Sequence, residues 1–273
     1  PGARRSGCGA RLVHIGCAAE YGPSQAGSST GEDAVPRPGS PYGVSKLAAT
    51  ELVLASGLDA VVLRVFSPAG PSTPAGSPLG RLAEAMRRAM QQGDNELKLS
   101  GLGVQRDFVD VRDVARAVHA ASLSAAQGVV NIGTGRAVRL RDAAAVLARV
   151  AGYTGAVHEL DASGAQAVQG AQAAQMPGAP VPAPSPAHTP HASHTPHPPH
   201  GAHSLHTQGH PQGHAQGHPQ GAAVSALSQP YPDGCGAWQQ ADVRTARDRL
   251  GWRPRIGLEE SLGDIWMEAA CRI

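Results

Sequence analysis

The sequence predicts an α/β fold in which helices cross between parallel strands, and three observations carry that expectation. Strand-like apolar runs alternate with helix-like periodic segments, joined by short links. Aromatic residues make up only 3% of the chain, so Ala, Val and Leu must fill any core, which suits helices packed closely on a parallel sheet. The first unit, RLVHIGC, then SPYGVSKLAATELVLASG, then LDAVVLRVF, reads as strand, helix and strand in a right-handed crossover.

Each element has its own signal. In the first helix Ser40 is placed to cap, Pro41 takes the first helical position, a periodic apolar face follows, and Gly57 lies just beyond the end. Residues 58 to 66 form a continuous apolar strand. Ser77 and Pro78 open a second helix that runs to Gln92, where Gly93 stops it. ELKLSG and RDFVDV read as short strands, VRDVARAVHAASL as a helix, GVVNIGTG as a strand, and RLRDAAAVLARVAG as a helix ended by Gly152. Two more helices are expected after Trp238, with Asp242 capping the first and Gly251 ending it.

With 273 residues, 41% of them hydrophobic, and a net charge of +2, the chain can bury one core or two modest ones. It carries no long basic run or aromatic-interleaved patch, so no nucleic-acid partner is expected. No stretch reaches the roughly 20 apolar residues of a membrane span. The opening PGARRSGCGARLVHIG is too short and interrupted to serve as a signal peptide. Cys8, Cys17, Cys235 and Cys271 show neither CxxC spacing nor the density of a disulfide scaffold. A cytoplasmic protein without a membrane partner or a dedicated metal site is the expectation. Because the chain opens on Pro1 and a strand follows almost at once, it reads as beginning inside a domain.

Tyr42 and Lys46 lie one turn apart on one face of the first helix, in a chain with four tyrosines and two lysines. Proton transfer to and from a sugar or alcohol oxygen needs such a pair. A free phenol titrates near pH 10, and a neighbouring ammonium in a partly dry cleft favours its ionised form. Read alone, the pair is equally an ordinary surface Tyr and Lys.

The surrounding motifs decide between these readings. GCAAEYG followed by PYGVSK, with Tyr42 25 positions after Cys17, resembles the extended short-chain dehydrogenase/reductase family, and in particular its nucleotide-sugar epimerases and dehydratases. LRVFSPAGP, RDFVDVRDVARA, VVNIGTG and LGWRP continue the likeness in order. The resemblance implies a partial Rossmann-type, doubly wound parallel sheet with a small C-terminal α/β substrate lobe. It implies NAD or NADP as cofactor, a nucleotide sugar as substrate, and a homodimer through the helix bearing Tyr42.

By the same resemblance Tyr42 is the catalytic acid and base, and Lys46 holds the nicotinamide ribose. Cys17 stands where the family keeps a Ser or Thr that hydrogen-bonds the reacting oxygen, although it also reads as a buried small hydrophobe. Phe66 packs near the nicotinamide. Ser67 and Arg106 face the substrate diphosphate, the alternative for Arg106 being a surface ion pair with Asp107 or Asp110. An arginine expected shortly before ADVRTARDRLGW is not found in YPDGCGAWQQ. Family dehydratases place an acid three or four residues before the Gly of YG. Here those positions are Ala18 and Ala19, which favours an epimerase or ketoreductase.

No glycine-rich loop follows a strand and opens a helix, and GTGRAV comes too late to be one. The resemblance places that loop in a first βαβ unit of roughly 90 to 100 residues, outside these 273. Residues 1–160 are therefore expected to hold the C-terminal part of the dinucleotide domain with interleaved lobe segments, and 236–273 the helical end of the lobe. Between them, 162–232 contain no Lys, Arg, Asp or Glu and carry ten of the thirteen histidines, which reads as a disordered insert. The histidines from 188 to 206 recur every third residue, a spacing that suits either weak metal binding along a polyproline edge or simple repeat slippage. A catalytically silent binding protein remains the rival reading of the whole chain.

Overall fold

The computed structural model describes residues 10–160 and 236–272. In chain order these form β1 (Leu12–Cys17), a 3-10 turn (Ala18–Glu20), α1 (Pro41–Leu54), β2 (Ala60–Val65), β3 (Ser67–Ala69), α2 (Pro78–Gln92), β4 (Glu96–Ser100), β5 (Gln105–Arg106), β6 (Phe108–Asp110), α3 (Val111–Leu123), β7 (Gly128–Ile132), β8 (Val138–Arg139), α4 (Leu140–Ala151), β9 (Ala156–Leu160), α5 (Arg244–Leu250) and α6 (Leu258–Ala270). The expected insert and its histidine row lie outside the described residues.

The α/β expectation holds. β1, β2 and β7 form one sheet in that order, both pairings parallel, with Cys17 opposite Val65 at the end of the first pair. Side chains alternate across the pleat. Val61, Leu63 and Val65 of β2 join Val130 and Ile132 in a core closed by Ala117 and Ala121 of α3 and by Ala246 and Trp252. The other face carries Gly16, Val62 and Arg64, and α1 lies across β1 and β2. A second core joins α2, α4 and α6 to β4 through Leu82, Met86, Leu97, Leu99, Leu147 and Leu262. There β4 pairs in parallel with β9.

Caps predicted from sequence are present. Ser40 and Ser77 accept the N–H of Gly43 and Gly80, and Gly93 ends α2 at φ 72°, where a side chain is strained. Two expectations need correcting. The residue before α5 is Val243, with no side-chain cap of its own; Asp242, one place earlier, accepts the Arg244 N–H instead. The apolar stripe on α1 is not buried by described residues: Gly43 and Thr50 are its buried positions, while Val44 and Leu52 are 53% and 74% exposed. Small residues are what the close approach of α1 to the turn after β1 permits, since a Cβ on Gly43 would sit 2.6 Å from the Ala19 carbonyl oxygen.

Candidate active site

β1 ends at Cys17 and the chain turns at once through Ala18–Glu20. The turn closes on itself in two ways. The Cys17 sulfur accepts the Ala19 N–H at 3.5 Å, and the Glu20 carboxylate accepts the Cys17 N–H at 2.8 Å. Packing of Gly43 on Ala19 then fixes the first turn of α1 against this tip.

That docking brings Tyr42 to Cys17. The Tyr42 hydroxyl hydrogen-bonds the thiol, and Lys46 lies close enough for its charge to be felt there. Lys46 Nζ donates to the Ile15 carbonyl at 2.8 Å, so the ammonium is tethered to the strand beside the tip. Burial pushes the Cys17 thiol above its ordinary pKa. The hydrogen bonds from Ala19 and Tyr42 and the charge of Lys46 pull the other way, while Glu20 adds to the rise. Cys17 is therefore a neutral thiol at physiological pH. Burial, then Lys46, lowers the pKa of His14, with Glu20 opposing. Tyr42 is 49% exposed, so its ring stands at an open mouth.

Beneath this tip lies a buried polar chain that sequence reading missed. Glu20 pairs with Arg64 Nε at 2.7 Å, both side chains almost wholly buried. Arg64 stacks its guanidinium 4.5 Å from the Tyr21 ring centroid. The Tyr21 hydroxyl donates to Asn131 Oδ1 at 2.8 Å, and Asn131 Nδ2 donates to the Thr30 carbonyl. Burial opposes the Arg64 charge, but Tyr21 and Glu20 hold its pKa above the ordinary value. The available signal was an arginine inside an otherwise apolar strand, AVVLRV, which calls for a buried anion.

The remaining candidates sit lower. Phe66 is 1% exposed and packs with Ala18, Tyr21 and Ala241, so its ring supports the turn. Ser67 Oγ lies 3.4 Å from Oε1 of Gln239, a buried residue in the segment where an arginine was expected. Arg106 is not a surface ion pair. It is 1% exposed, and its guanidinium donates to the carbonyls of Gln105 and Gly236. The two acids considered for it are engaged elsewhere: Asp110 with Arg112 and Ser261, and Asp107 with Thr134, Gly135 and Ala241. The late GTG loop thus cradles an internal carboxylate with its own N–H groups. Among the described residues no cluster of His, Cys, Asp and Glu is arranged to hold a metal ion.

Comparison with known proteins matches residues 2–133 to the NAD dependent epimerase/dehydratase family. The chain is 30% identical over 266 residues to dTDP-6-deoxy-L-talose 4-dehydrogenase (NAD(P)(+)) of Kitasatospora kifunensis, covering 94% of this chain and 62% of that protein. It is 35% identical over 127 residues to GDP-6-deoxy-D-mannose reductase of Pseudomonas aeruginosa, covering 44% of this chain and 41% of the relative. The chain therefore spans less than two thirds of the length of these curated relatives. The solved structure of RMD from Pseudomonas aeruginosa complexed with NADPH superposes with a TM-score of 0.66 at 20% identity, covering 98% of this chain and 69% of that one, which shows a shared fold.

Proposed function

Because the chain belongs to the NAD dependent epimerase/dehydratase family, we propose that it serves hydride transfer between NAD(P) and a nucleotide-linked 6-deoxyhexose, as a 4-ketoreductase or its reverse. The observation that carries this is the Tyr42 hydroxyl bonded to Cys17 at the tip of a parallel strand, with Lys46 tethered one turn on. Two features favour reductase over dehydratase. Ala18 and Ala19 put no acid at the two positions where family dehydratases carry one, and the two relatives named above are a dehydrogenase and a reductase.

The donor set fits the nicotinamide end of a dinucleotide. Lys46 has three N–H donors and spends one on Ile15, which leaves an ammonium beside an exposed phenol for a ribose diol. When bound, the cofactor supplies or accepts the hydride. The chain's own part is the proton. Tyr42 gives its hydroxyl proton to the carbonyl oxygen that becomes an alcohol, and takes it back in the reverse direction. Cys17, whose sulfur already accepts from Ala19 and Tyr42, has its S–H to orient that oxygen. Ser67, hydrogen-bonded to Gln239, is the side chain left to meet the diphosphate, while Arg106, buried and bonded to the Gln105 and Gly236 carbonyls, braces the backbone behind it.

The test is a spectrophotometric assay of the protein with NADH or NADPH and 4-keto-6-deoxy sugars linked to dTDP or GDP. Loss of the reduced-nicotinamide absorbance, abolished by Tyr42→Phe, supports the reading. Turnover unaffected by that substitution overturns it. With the corresponding 4-hydroxy sugars and NAD, inversion at C4 without net nicotinamide change makes the chain an epimerase instead.

A further inference from the structure

The buried pair Glu20–Arg64 has no place in the proton step, yet it lies directly under it. One Glu20 oxygen holds the Cys17 N–H and the other holds Arg64 Nε. The carboxylate passes so close beneath β1 that a Cβ on Gly16 would meet Glu20 Oε1 at 2.7 Å. The same three-residue turn presents the Ala19 N–H to the Cys17 sulfur and the Ala19 carbonyl to Gly43 at the start of α1. Thiol and phenol thus take their relative position from one turn, and that turn is pinned by one carboxylate. Arg64 is fixed in its own right by Tyr21, which is tied through Asn131 to β7. The ends of all three sheet strands therefore share one chain of polar contacts.

We infer that Glu20 is a positioning residue: through its bonds to the Cys17 N–H and Arg64 it sets the thiol of Cys17 against the hydroxyl of Tyr42. This rests on the hydride-transfer reading above for its kinetic consequence, but not for its geometry. The Glu20 carboxylate bonds the Cys17 N–H and Arg64, so it acts through the turn. The charged and titratable groups facing the thiol are Glu20, Lys46 and Tyr42; His14 and Arg64 adjoin Glu20.

The experiment has two arms, run on the full chain with Cys8, Cys235 and Cys271 changed to Ser. In the first, iodoacetamide labelling of Cys17 is followed against pH for the parent, Glu20→Gln and the double variant Glu20→Gln/Arg64→Gln. The double variant leaves no lone buried charge and so guards against simple unfolding. Losing the carboxylate that pins the turn withdraws the Ala19 and Tyr42 donors that hold the thiol's pKa down, so both variants are expected to displace the labelling curve from the parent's position. A curve that stays at the parent's position in both, with the circular dichroism of the folded chain retained, overturns the inference.

In the second arm, kcat is expected to fall about tenfold with KM within about twofold, the pattern of misplaced groups rather than lost binding. Glu20→Gln, which keeps an acceptor for the Cys17 N–H, should retain more activity than Glu20→Ala. A rise in KM at constant kcat overturns the role. If the parent shows no turnover with any of the sugars tested, the hydride-transfer reading fails, and the labelling arm alone still decides whether Glu20 places the thiol.

Discussion

That Tyr42 and Lys46 share one helix face was legible from their spacing of four, and Cys17 was named beside them by the resemblance of GCAAEYG and PYGVSK to the family pattern. The structure joins Tyr42 to Cys17 and tethers Lys46 beside them. Tyr42→Phe is expected to lower kcat by about 10²–10⁴-fold, the usual worth of a positioned acid or base, with little effect on folding because the hydroxyl stands at an open mouth. Cys17→Ser should raise turnover about tenfold, since a hydroxyl is the better donor to the reacting oxygen. Steady-state kinetics of the two variants check both. Glu20, Arg64, Tyr21 and Asn131 were illegible for the opposite reason. They come from β1, β2 and β7 and their turns, up to 111 positions apart, and nothing local in the sequence names their partners.

At the scale of elements, boundaries set by local chemistry were read well. Ser77 and Gly93 bracket α2 because a hydroxyl must satisfy the first free N–H groups and a left-handed residue must end the last turn. Gly93→Ala, at φ 72°, is expected to destabilise the protein by about 1 kcal/mol in urea unfolding. β9 escaped notice: AVHEL carries little strand propensity of its own and exists because β4 offers it a parallel edge. On α2, hydrogen bonds from Arg87, and then Arg88, hold the Glu84 carboxyl down to about 2, with burial opposing. A carboxyl depressed from its ordinary 4.5 contributes stability above that pH, which is lost as pH falls through about 2. The urea midpoint of Glu84→Gln should therefore lie below the parent's at neutral pH. The gap should close progressively on acidification between those two values.

At the scale of the whole molecule one carboxylate ties distant segments together. Asp107 is fully buried and accepts four hydrogen bonds, from the Thr134 N–H and hydroxyl, the Gly135 N–H and the Ala241 N–H. Burial pushes its pKa up and those four donors pull against the rise. Asp107→Ala strands these donors. It is expected to cost at least about 3 kcal/mol and to raise amide hydrogen exchange in 236–243 before the rest of the chain opens.

By itself the sequence determined the alternation of strands and helices, the caps, and the spacing that puts a phenol and an amine on one face of a helix. These follow from periodicity and backbone chemistry, which act over a few residues. Only the tertiary structure decided what buried charges pair with, why GTG holds Asp107 rather than a phosphate, and which faces stay uncovered. Those outcomes depend on which distant groups replace lost water around each buried polar atom, and desolvation is a property of the packed molecule rather than of any stretch of chain.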